Sequence, residues 1–264
     1  MFSNSIKVVL SAMYLLFKSW RMMLLVVAAY AALLASIYFF VTTKESAISQ
    51  LAVSVGLMVL APALFFAVQA AGINYTSTAN ARSLVKKTAI DCWKLVLVSL
   101  PIIALMVIAL YALSKAQRHF AVIPVNVPPG GAVQQPVAHK ALTLLTTVRY
   151  AVVWVVAPLI LIHLWIATSQ GGLRSLFRSL GRVVRNTFAP ESFLIYLLGS
   201  LLFLLVPYLI LSKTVTVQRP WLEISVLALR LVFSAALILI GWVGTIGALS
   251  IFSKPTDPCL AQES

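Results

Sequence analysis

Apolar and polar positions fall along this chain in blocks. Six apolar blocks are long enough to cross a bilayer, at about 22–41, 47–71, 95–113, 150–168, 193–212 and 224–252. At 1.5 Å rise per residue, about 20 helical residues cover the ~30 Å of hydrocarbon. The last block is longer than that crossing needs, so it is expected to tilt or to begin in the interface. Three polar segments between the blocks have a helical period of their own. Over 4–21, the residues Asn4, Lys7, Ser11, Tyr14, Lys18 and Arg21 advance in steps of three and four, a single polar stripe on an apolar helix. Over 76–94, Thr76, Asn80, Ser83, Lys87, Asp91 and Lys94 form a second stripe. Over 173–188, Arg174, Arg178, Arg182 and Arg185 fall within roughly a quarter of the circumference. Leu173, Leu176, Phe177, Leu180, Val183, Val184 and Phe188 fill the opposite side of that helix, which Gly171-Gly172 can start and Pro190 can stop. The pattern predicts an all-α polytopic membrane protein: six transmembrane helices with basic amphipathic interfacial helices, in one integral domain. Residues 114–141 are expected to form the one long outer loop, since Pro124, Pro128, Pro129, Gly130, Gly131 and Pro136 exclude regular helix.

Composition agrees with this reading. A chain of 264 residues that is 61% hydrophobic and 10% charged cannot cover a soluble core with polar surface. Its formal charge of +14 is distributed between apolar blocks and forms no separate basic domain. That arrangement excludes nucleic acid as a partner and points to anionic headgroups and membrane topology. The side holding Lys7, Lys18, Arg21, Arg82, Lys86, Lys87, Lys94, Arg174, Arg178, Arg182, Arg185 and Lys254 outweighs the side holding Lys44, Lys115, Arg118, Lys140, Arg149, Lys213, Arg219 and Arg230. The positive-inside rule then puts both termini in the cytosol. The expected location is the inner (cytoplasmic) membrane of a bacterium.

Candidate chemistry is sparse. The acids Glu45, Asp91, Glu191, Glu223, Asp257 and Glu263 all map to loops, span ends or the tail, which argues against a carboxylate proton relay. His163 is the one titratable group well inside a span, and is expected to be hydrogen-bonded within the bundle. No catalytic constellation, cofactor motif or metal-ligand spacing occurs: His119, His139 and His163 are far apart, and Cys92 and Cys259 read as plain small residues. Pro62, Pro101, Pro158 and Pro207 lie inside four spans and are candidate helix hinges. Gly241, Gly244 and Gly247 on the last span permit close helix packing.

The strongest candidate site is the arginine quartet with Lys86 and Lys87, since guanidinium forks bind phosphate bidentately. The function expected is that of a non-enzymatic membrane protein engaging anionic lipid headgroups, a membrane protein partner or a second copy of itself through a basic cytosolic face. The alternative is a permease, or a membrane subunit of a transporter, moving a small or lipidic solute through a proline-kinked bundle. Six spans in three pairs also suggest mitochondrial carriers, but the Pro-x-acid-x-x-base motif of that family is absent. With basic amphipathic segments before its spans, at 5–21 and 82–94, the chain resembles the membrane domains associated with glycerophosphodiester phosphodiesterases. That resemblance implies a six-span membrane domain and carries no catalytic activity over, since no phosphodiesterase domain is present in these residues.

Overall fold

The computed structural model describes residues 2–43, 47–121, 136–213 and 219–253. These are helical, with no strand among the described residues. Six helical stretches are long and apolar enough to cross a membrane, and the chain is a multi-pass integral membrane protein. Helix α1 (Phe2–Lys18) precedes the first span, α2 (Trp20–Thr42), and the second, α3 (Ile48–Asn74). A 3₁₀ turn at Tyr75–Ser77 leads to α4 (Ala81–Ala121), which carries the third span. Helices α5 (Pro136–Ala151) and α6 (Ala157–Thr187) run into one another and form the fourth. Helices α7 (Pro190–Ser200) and α8 (Val206–Ser212) form the fifth, and α9 (Pro220–Phe252) the last.

Most spans carry large apolar side chains that face outward, such as Met58, Leu105, Val107 and Val232. In water such a surface would aggregate; in a bilayer it is the solvated surface. What is buried lies on the inner stripes. Ile73, Leu95, Ile162, Ile166, Ile195, Ile246 and Leu249 make the central cluster. The indole nitrogens inside it are satisfied across helices: Trp165 donates to Ser99 Oγ at 2.7 Å and Trp242 to Gln69 Oε1 at 2.8 Å. The glycines of α9 fit the close packing expected of them. A Cβ on Gly241 would meet the Phe203 backbone at 2.9 Å, while Cβ atoms on Gly244 and Gly247 would overlap Met13 and the Tyr75 ring. Three different elements thus approach one helix through three missing side chains.

Several boundaries differ from the sequence reading. The stretch expected as an outer loop over 114–141 is helical at both ends, because α4 runs on to Ala121 and α5 begins at Pro136. No proline or glycine lies between Ser114 and Ala121 to stop the helix, and Pro136 occupies a first-turn position that proline tolerates. The rest of the expected loop, 122–135, lies outside the described residues. The second polar segment is not a separate interfacial helix: α4 passes from Ala81 into the span without a break. The first is more than an interfacial helix, because α1 buries Ser5, Ala12 and Leu16 against the bundle, while its predicted polar stripe stays outside. The Arg230 guanidinium donates to the Ile210 carbonyl in the last turn of α8 and ties α9 to α8.

The four prolines fall into two kinds. Pro62 and Pro101 sit on exposed faces inside continuous helices. Pro158 and Pro207 each follow a π-helical turn, at Val152–Val156 and Leu201–Leu205, with one residue between turn and proline. The two stretches share a pattern, Val-Val-Trp-Val-Val-Ala-Pro and Leu-Leu-Phe-Leu-Leu-Val-Pro. Proline lacks the N–H that the carbonyl four residues earlier requires, and the wider turn absorbs the clash of its ring. For Pro158 that carbonyl belongs to Trp154, and the Tyr196 hydroxyl donates to it at 2.8 Å. A backbone group freed inside a membrane protein is thereby satisfied.

Candidate functional site

At one end of the bundle, where α3 finishes and α6 approaches its break at Gly172, four polar side chains of α3, α4 and α6 meet. Asp91 is buried, with 2% of its surface exposed. Its Oδ1 accepts from Lys94 Nζ at 2.8 Å and its Oδ2 from Asn74 Nδ2 at 3.0 Å. The Ser169 hydroxyl lies 2.8 Å from Asp91 Oδ2 and 2.9 Å from Asn74 Oδ1, sharing one proton between two acceptors. Lys94–Asp91 is the one ion pair among the described residues. A buried carboxylate is tolerable only when paired and hydrogen-bonded, and here both oxygens are occupied. Asp91 lies at a span end, as expected of every acid, but it is buried there and not solvated. Its partners are 17 and 78 residues away in sequence, so the stripe it belongs to looked like a water-facing one.

This knot fastens three helices where the basic segments leave the bundle. On α4, one to two turns before Asp91, Lys86 is exposed and Lys87 donates to Ser77 Oγ at 3.1 Å. The Ser77 hydroxyl in turn donates to the Asn74 carbonyl at 3.1 Å, so Lys87 is joined to the knot through the 3₁₀ turn. On α6, three residues after Ser169, Gly172 adopts φ 75° and ψ 172°. It is the one positive-φ residue among the described residues, in a region that only glycine occupies without strain. The break separates the span from the arginine segment, so the second Gly of the pair does begin a new helical run.

Past the break, the arginine segment has three faces. Leu176, Val183 and Thr187 are buried, the first two packing with Val98 and Leu164. Leu180, Val184 and Phe188 are exposed, Phe188 by 66%. Arg182 and Arg185 are exposed on the third face, next to the second. The side chains of Arg174 and Arg178 lie outside the described residues. Neither Arg182 nor Arg185 has an acidic partner among the described residues. The geometry brings Lys87 to the knot and leaves Lys86, Arg182 and Arg185 presented outward.

His163 is buried on α6, its Nδ1 3.2 Å from Ser253 Oγ. Its Nε2 has no hydrogen-bond partner among the described residues. The described residues hold no group of three His, Cys, Asp or Glu side chains able to hold a metal ion. Comparison with protein-family models, with curated proteins and with solved structures gives no match.

Proposed function

We propose that this chain is a non-enzymatic integral membrane protein that engages anionic lipid headgroups through its basic face. In this reading Arg174, Arg178, Arg182, Arg185 and Lys86 lie in the headgroup layer of the cytosolic leaflet of a bacterial inner membrane, and both termini are cytosolic. The observation that carries it is the three-faced arginine segment. Its exposed apolar face (Leu180, Val184, Phe188) borders its exposed cationic face (Arg182, Arg185). A helix so built lowers its free energy by laying the apolar face into the acyl boundary with its cations among phosphates. Each cation near an anionic surface adds about 1 kcal/mol. The knot of Asn74, Asp91, Lys94 and Ser169 supports the reading by holding the segment's root at a fixed place.

The permease reading draws less support. Pro62 and Pro101, two of its four candidate hinges, face outward from unbroken helices.

Native mass spectrometry on protein released gently from its own membrane tests the proposal. The unmodified chain is compared with one in which Arg174, Arg178, Arg182 and Arg185 are all changed to Gln. Retained anionic lipid in the first and its loss in the second is the expected result. Equal lipid retention in both would overturn the proposal. Loss of a co-purifying protein, with lipid unchanged, would also overturn it and make the basic face a partner surface.

A further inference from the structure

At the end of the bundle opposite the knot, α4 and the continuous α5–α6 span part to leave a cavity of about 750 Å³. Gln117, Arg118, Thr146, Arg149, Tyr150 and Trp154 line it. A chain of neutral groups holds one of the arginines. Arg149 Nη1 donates to Gln117 Oε1 at 3.4 Å, and Gln117 Nε2 donates to Thr146 Oγ1 at 3.2 Å. No carboxylate pairs with Arg149 or Arg118 among the described residues. The sequence 122–135 that joins α4 to α5 contains no Asp or Glu either. Two guanidiniums therefore share one cavity with no counter-charge among the described residues.

Deeper between the same helices lies a second, apolar groove of about 220 Å³, lined by Leu105, Met106, Ala109, Val152, Val156 and Ile160 among others. The π-helical turn Val152–Val156 supplies wall to both, Val153 and Trp154 above and Val152 and Val156 below. From Arg118 to Met106 is about 18 Å along the helix axis, close to the ~15 Å depth of one leaflet's hydrocarbon. Tyr150 and Trp154, both more than half exposed, flank the mouth as aromatic residues do at the headgroup level.

We propose that this crevice binds one anionic phospholipid, its phosphate received by Arg118 and Arg149 and one acyl chain lying along the groove between α4 and α5–α6. A cavity with cations at its mouth and hydrocarbon below has the polarity of that molecule. Arginines that merely snorkelled would need neither the cavity nor the groove. A soluble anion would leave the lower part unused. The site is distinct from the basic face of the other end and does not depend on it.

The test counts bound lipid by native mass spectrometry while the full chain is titrated with phosphatidylglycerol, with phosphatidylcholine of the same chains, and with glycerol phosphate. Each titration is run on the unmodified chain and on the Arg174→Gln, Arg178→Gln, Arg182→Gln, Arg185→Gln variant, so lipid held at the other end is counted separately. One phosphatidylglycerol should survive in that variant. Adding Arg118→Gln with Arg149→Gln should weaken it about tenfold or more, as expected for lost charge-assisted hydrogen bonds. Ala109→Trp, which fills the groove without changing charge, should weaken it as well. Brominated phosphatidylglycerol should quench an emission that Trp154→Phe removes, a readout that needs no arginine variant. Unchanged phosphatidylglycerol binding after loss of both arginines would overturn the proposal, as would equal binding of phosphatidylcholine. Displacement by glycerol phosphate would overturn it in favour of a soluble anion.

Discussion

The knot and the crevice, at opposite ends of this bundle, treat their cations in opposite ways. At one end Lys94 is paired with a buried carboxylate whose remaining hydrogen bonds come from Asn74 and Ser169. At the other, Arg118 and Arg149 line an open cavity with only neutral groups for company. The chain has 20 basic and 6 acidic residues, so internal pairing is the exception. Where an acid is spent, it locks helices together; where none is present, the cations face a ligand supplied from outside. The same charge type thus serves cohesion at the knot and reception at the crevice.

Removing the acid should break this contrast most severely. Asp91→Ala leaves the Lys94 ammonium without its counter-charge and strands the Asn74 amide and Ser169 hydroxyl. The expected loss is about 3 kcal/mol of stability, read by denaturant titration in mixed micelles. Lys94→Gln should cost less, because Asn74 and Ser169 keep their acceptor and the carboxylate can take up a proton in place of its lost counter-charge. An equal cost for the two would show that the carboxylate is not the centre of the knot.

A smaller effect is expected at the wall of the opposite crevice. Tyr196→Phe removes the donor to the Trp154 carbonyl, at a cost of about 1 kcal/mol. Pro158→Ala restores a backbone N–H at that turn, so the double variant should recover part of the loss. Strict additivity of the two changes would show that the hydroxyl does not stand in for the missing N–H.

Arg118→Gln should leave the lipid-free protein's unfolding midpoint unchanged, since no partner is lost. A drop comparable to that of Asp91→Ala would erase the distinction between the two ends.

The six crossings were legible in the sequence because nothing but hydrocarbon makes runs such as 22–41 or 224–252 reasonable. The arginine segment was legible too, from its spacing and from Gly172, whose positive φ begins it. What escaped was everything that depends on a distant partner. Asp91 lies on a stripe with Lys87 and Lys94, and a stripe of polar residues reads as a wet face. Asn74 and Ser169, which turn it inward, are invisible to a local window. Polar residues at the inner ends of two other apolar runs were the signal that could have found them. The π-helical turns escaped for a related reason: proline predicts a disturbed helix, not which hydroxyl repairs it. The cavity at Arg118 and Arg149 escaped because the prolines and glycines of 114–141 predict a loop, which hides the helix that carries Arg118 past Arg149.

The pairing of Lys94 with Asp91 also bears on energetics across an energised membrane. A transmembrane voltage acts on net charge, about 2.3 kcal/mol per elementary charge for each 100 mV. The pair carries none, so the field does no net work on it wherever along the normal the joint of α3, α4 and α6 stands. A change in membrane voltage therefore acts on this joint only through the short dipole of the pair.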